Sequence, residues 1–169
     1  IMGTVYKAFE CGELERTEEI MSLMNKMISY SDNASSNELL SRLGNGSYAD
    51  GIEKVNAFIK KYGFSDMTME YNGFDDSATI MDPEHFNQVT AKDCGKLLED
   101  IYRRTWVSRG ISNEIEEAAI IQDIPWTKRM FRIIIPIQKS SIISGFLLPF
   151  MTCLRELSLF MLLCVQGFI

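Results

Sequence analysis

The chain has 169 residues, 46% of them hydrophobic and 24% charged, a balance that suits a single globular domain with a sizeable core. Its net charge of -6 and pI near 4.9, with no run of Lys and Arg, exclude a nucleic-acid partner, which needs basic groups gathered on one face. The four cysteines, Cys11, Cys94, Cys153 and Cys164, form no C-x-x-C pair, and the single His85 cannot complete a Cys/His zinc set. No metal and no other cofactor is therefore expected, and the cysteines read as free, mostly buried thiols.

The chain opens Ile-Met-Gly-Thr-Val-Tyr-Lys, without the basic region, apolar stretch and small-residue cleavage site of a signal peptide, and is expected to begin inside a longer reading frame. Thr4 to Phe9 and Glu18 to Tyr30 carry apolar residues at helical spacing; in the second, Ile20, Leu23, Met24, Met27 and Ile28 form one stripe and Thr17 is the N-cap. Ser31-Asp32-Asn33 interrupts the pattern, which resumes at Leu39, Leu40 and Leu43 and stops at Gly44-Asn45-Gly46, so the tripeptide falls on a short connection between two helices. A further helix is expected from Asp50 to Tyr62, with Ile52, Val55, Phe58 and Ile59 on one face.

Phe64 to Gln88, rich in Gly, Asp, Asn and Pro, reads as a long irregular loop, the kind of segment that walls a functional site. Thr90-Ala91-Lys92-Asp93 has the form of a capping box and opens a helix through Leu97, Leu98 and Ile101; Ser112 is the expected cap of a helix from Asn113 to Gln122. From Met130 onward only Arg132, Lys139, Arg155 and Glu156 are charged. Ile133 to Ile137 suits a buried strand, and Leu157 to Val165 suits a strand or a buried helix. Pro149 and Arg155-Glu156 break the uncharged runs short of the roughly 18 to 20 residues of a membrane span, so insertion in a membrane is not expected.

Ser31-Asp32-Asn33 would arise by chance in about 2% of chains this long, so its flanks decide its meaning. The stretch Met27-Ile28-Ser29-Tyr30-Ser31-Asp32-Asn33-Ala34-Ser35-Ser36-Asn37-Glu38-Leu39-Leu40, continuing to Leu43-Gly44, resembles the middle motif of class A β-lactamases and their penicillin-binding relatives, whose three motifs are S-x-x-K, S-D-N and K-T-G. Gly51 to Asn56, Phe58, Gly63, Thr68 and Thr90 to Leu98 with Ile101-Tyr102 extend the likeness over most of Ile1 to Arg129.

The resemblance implies a mainly α chain: residues 1–129 as the helical lobe of the α+β serine β-lactamase/transpeptidase fold, and 130–169 as an apolar segment. It implies a monomer, secreted, periplasmic or at the cell surface, acting on a β-lactam or a peptidoglycan-like small molecule. In that family a serine attacks the lactam carbonyl and a proton must reach the ring nitrogen. Ser31, both donor and acceptor, would relay that proton; Asn33 would accept from a catalytic ammonium and donate to the substrate's acylamino carbonyl; Asp32 would tie down the loop.

The chain departs from the pattern at its nucleophile. None of its nine lysines follows a serine at the required spacing, and Thr4-Val5-Tyr6-Lys7 is the nearest form. The missing motif is expected upstream of Ile1, and the chain itself is expected to be inactive. K-T-G is also absent, with Lys139-Ser140-Ser141 a poor substitute lacking the glycine. No E-x-x-L-N pattern appears between Met67 and Asn87, which leaves Glu70 and Glu84 as candidates for the deacylating base; His85 reads as a solvated residue. A transpeptidase or carboxypeptidase-like protein and a non-catalytic binding lobe stay open. Because Ile133-Ile134-Ile135 and Leu157 to Val165 do not alternate as half-buried strands would, a shifted reading frame is the expected origin of 130–169.

Overall fold

A computed structural model describes residues 1–121. The expected strands and the boundary near residue 130, with the altered segment beyond it, lie outside the described residues.

Six α-helices account for the regular structure of the described part: α1 (Met2–Cys11), α2 (Glu18–Tyr30), α3 (Asn33–Leu43), α4 (Tyr48–Lys61), α5 (Ala91–Tyr102) and α6 (Arg109–Ile121). Among the described residues there is no β-strand, so this part is mainly α, as a helical lobe requires. Side-chain caps set most of the starts. Thr17, Asp32, Ser47 and Thr90 accept from Ile20, Ser35, Asp50 and Asp93 N–H respectively, each satisfying a donor that the first turn leaves bare.

Three starts differ from the sequence reading, the first being α1, which begins at Met2 ahead of Thr4. α4 begins at Tyr48 because Ser47 caps it, ahead of Asp50. α6 begins at Arg109: Ser108 Oγ accepts from Ile111 N–H at 3.3 Å, and Ser112 is not the cap. Ser112 is fully buried within the helix, where its hydroxyl donates back to the Trp106 carbonyl at 2.9 Å.

α3 packs against both α2 and α4, α6 bridges α2 and α5, and α1 lies on α3 and α4. Their inward stripes make one core, with Val5, Met24, Met27, Leu39, Leu40, Val55, Leu97 and Ile101 all at most 2% exposed. Trp106, between α5 and α6, joins it, with its ring 5.1 Å from Phe58, 5.2 Å from Tyr62 and 5.5 Å from Phe64. Gly51 permits the close contact of α3 and α4: a Cβ there would lie 2.0 Å from the Leu40 carbonyl oxygen. Cys94 is buried, whereas Cys11 is exposed.

Candidate functional site

The junction of α2 and α3 places Ser31-Asp32-Asn33 in order. Ser31 ends α2 in the left-handed conformation, φ 56 and ψ 42, a position glycine normally fills. A serine there costs about 1 kcal/mol of backbone strain, the kind of local cost that collects at functional positions. Asp32 turns back onto α3: its carboxylate accepts from Ser35 N–H at 2.9 Å and from the Ser35 hydroxyl, and these bonds hold it below the usual carboxylate range. Asn33 opens α3, half-buried, and its Nδ2 donates to Asp75 Oδ2 in the loop. Its Oδ1 is buried and has no hydrogen-bond partner among the described residues. An acceptor left in that state costs free energy unless something donates to it.

The loop opposite is pinned by side-chain amides in place of a sheet. An antiparallel bridge between Met69 and Gln88, at 2.9 and 2.8 Å, closes its neck. Inside the neck, Asn56 on α4 brackets Glu70, accepting from its N–H and donating to its carbonyl. Asn37 on α3 brackets Phe74 in the same way, at 2.7 Å each. Asn87 Oδ1 accepts from Tyr71 and Asn72 N–H, and Asn72 Oδ1 accepts from Met81 and Asp82 N–H. Gly73 is required by the same packing, since a Cβ would meet Asn37 Oδ1 at 2.7 Å and Thr79 at 2.4 Å. Asp93 on α5 anchors the loop's entry through Ser65 N–H at 3.1 Å and Thr68 Oγ1 at 2.5 Å.

The two glutamates singled out in the sequence differ sharply. Glu70 is 6% exposed, and Asn87 Nδ2 donates to its Oε1 at 2.9 Å. Burial pushes its carboxyl up to about 8. Glu84 is exposed on the loop's outer turn, where its N–H donates to Asp82. His85 is also exposed, bonded to Asp82 at 2.8 Å and stacked on Tyr71. Thr4 and Lys7 stand three apart on α1 without a hydrogen bond between them: Thr4 Oγ1 is buried with no partner among the described residues, while Lys7 Nζ pairs with Glu10 at 2.9 Å.

Asp75 was not legible as a site residue. It lies 42 positions beyond Asn33, and nothing in Phe74-Asp75-Asp76 distinguishes it from a turn. A groove of about 570 Å³ opens elsewhere, between α1, α2 and α6, over Met2, Tyr6, Met24 and Glu114; neither Ser31 nor Asn33 lines it.

Among the described residues no cluster of His, Cys, Asp and Glu could hold a metal ion, and no helix is long and apolar enough to cross a membrane. What remains is a helical lobe that presents a Ser-Asp-Asn junction to an amide-pinned loop. The family model for the beta-lactamase enzyme family matches residues 9–122, more than half of the chain, and the chain belongs to that family. No curated protein and no solved structure matches it.

Proposed function

We propose that this chain is the substrate-holding helical lobe of a serine β-lactamase-like enzyme, one that acylates a serine with a β-lactam and hydrolyses the acyl-enzyme. Ser31 relays the proton to the leaving nitrogen, Asn33 holds the substrate's acylamino group, and Asp32 fixes the junction. The observation that carries this reading is the Asn33 carboxamide: one end is oriented by Asp75, and the other is a buried acceptor with no partner among the described residues. That is the disposition expected of a group waiting for a cationic donor and a carbonyl.

Glu70 supports a hydrolase over a transpeptidase or carboxypeptidase. With its carboxyl raised to about 8 by burial, Glu70 is mostly protonated at neutral pH and takes a proton from water only through the ionised fraction that grows as pH rises toward 8, whereas Glu84 lies exposed on the outer turn. A non-catalytic binding lobe is favoured by one fact, the absence of S-x-x-K from the sequence. In either case the ligand is a small β-lactam or peptidoglycan-like molecule, the protein a monomer, and its place secreted, periplasmic or at the cell surface.

The test is a titration of the chain with a phenylacetyl penicillin, read by the side-chain amide resonances of Asn33, alongside intact mass and cephalosporin turnover. Reversible shifts at Asn33 without an adduct or turnover are expected. No shift at Asn33 would overturn the reading, and turnover above the buffer rate would overturn the expected inactivity and redirect attention to Thr4 and Lys7.

A further inference from the structure

We infer that Asp75 makes the Asn33 end of the lobe selective for β-lactams whose acylamino side chain carries a positive charge. This rests on the reading of Asn33 as the substrate's amide donor. Asn33 Nδ2 has two hydrogens, and one is given to Asp75 Oδ2. A substrate carbonyl that takes the other sits across a single nitrogen from that carboxylate, at roughly 5 to 6 Å, which is two hydrogen-bond lengths. A charged group attached beside the carbonyl then lies within the reach of Asp75.

The surroundings leave that charge uncompensated. Asp75 is exposed, and among the described residues no Lys, Arg or His forms an ion pair with it. Its neighbour Asp76 adds a second carboxylate to the same exposed turn, where it accepts from Ala78 N–H at 2.9 Å. Asp75 holds its place through a left-handed backbone, φ 49, which aspartate and asparagine tolerate better than most residues. Even with the dielectric of bulk water, a unit charge at this separation changes binding about threefold. An ammonium gains that factor and a carboxylate loses it, so the two ends of the series differ by about tenfold.

The experiment uses three penicillins that share one nucleus and differ in side-chain charge: phenylacetyl, α-aminophenylacetyl and α-carboxyphenylacetyl. Dissociation constants are read from the Asn33 amide shifts at low salt, for the chain and for Asp75→Asn, which keeps both the backbone preference and an acceptor for Asn33. The expected order is ammonium tightest and carboxylate weakest, spanning about tenfold, flattening in Asp75→Asn. It should also flatten in the unaltered chain near 1 M salt, where screening acts within about 3 Å. Equal binding of all three to the unaltered chain, or an order that survives both salt and Asp75→Asn, overturns the inference while leaving the role of Asn33 intact. Failure of even the neutral penicillin to shift Asn33 defeats that role, and the selectivity with it.

Discussion

Asn87 Nδ2 donates to Glu70 Oε1 at 2.9 Å while its Oδ1 accepts from the backbone N–H groups of Tyr71 and Asn72, so one carboxamide serves both the buried carboxyl and the chain that carries it. Asn87→Ala removes all of these together with the bond to the Asn72 carbonyl. A loss of about 2–4 kcal/mol is expected, because buried groups are left bare. Hydrogen exchange should show Tyr71 and Asn72 amides losing protection while the middle of α2 keeps its own; equal loss in both would mean that Asn87 supports the whole lobe rather than the loop.

The raised carboxyl of Glu70 makes stability depend on pH. Its folded value of about 8 exceeds the ordinary carboxyl value of 4.5, so between these limits the folded chain holds a proton that the unfolded chain releases. Stability therefore falls as pH rises through this window and levels off above it, with a slope approaching about 1.4 kcal/mol per pH unit. Glu70→Gln abolishes this contribution. The unaltered protein should lose denaturation midpoint relative to the variant from about pH 5 to 8; a constant difference across that range would show that Glu70 titrates normally.

Ser31 pays for its position in backbone strain. Ser31→Gly and Ser31→Ala both delete the hydroxyl, but only glycine relaxes at φ 56. The glycine variant should be the more stable of the two by about 1 kcal/mol, or roughly 2–4 °C in melting temperature. Equal melting temperatures would place the strain elsewhere.

Gly51 offers a test in which two effects oppose each other. Alanine is favoured over glycine inside a helix by about 1 kcal/mol. Here the added methyl meets the Leu40 carbonyl oxygen at 2.0 Å, and relieving that clash must push α3 and α4 apart. Gly51→Ala should destabilise by about 2–4 kcal/mol in thermal unfolding; a stabilised variant would refute the close contact.

The elements that sequence reading placed correctly are those whose signal is local. Thr17 and Thr90 stand three residues before the amides they cap, and the apolar stripe of α2 repeats within the helix itself. Ser112 misled because Ser108, one turn earlier, offers the same local signal, and only the buried Trp106 carbonyl shows which serine turns inward. The loop was legible as irregular, but its order was not. Asn37 and Phe74 are 37 residues apart, Asn33 and Asp75 are 42 apart, and an asparagine in a turn-rich sequence looks the same whether it faces water or brackets a peptide. Glu70 and Glu84 were equivalent on paper for the same reason; the shielding that separates them comes from residues distant in the chain.

Asn33 and Asn37 stand one turn apart on α3 and take hold of consecutive loop residues, Asp75 and Phe74. The loop is thereby indexed to the helix, one residue of loop to one turn of α3, as a rack is to its pinion. A single residue inserted between the two asparagines would rotate one relative to the other by about 100° and force the protein to release either the peptide of Phe74 or the carboxylate of Asp75. The spacing of two asparagines thus sets the phase in which the loop meets the Ser31 junction.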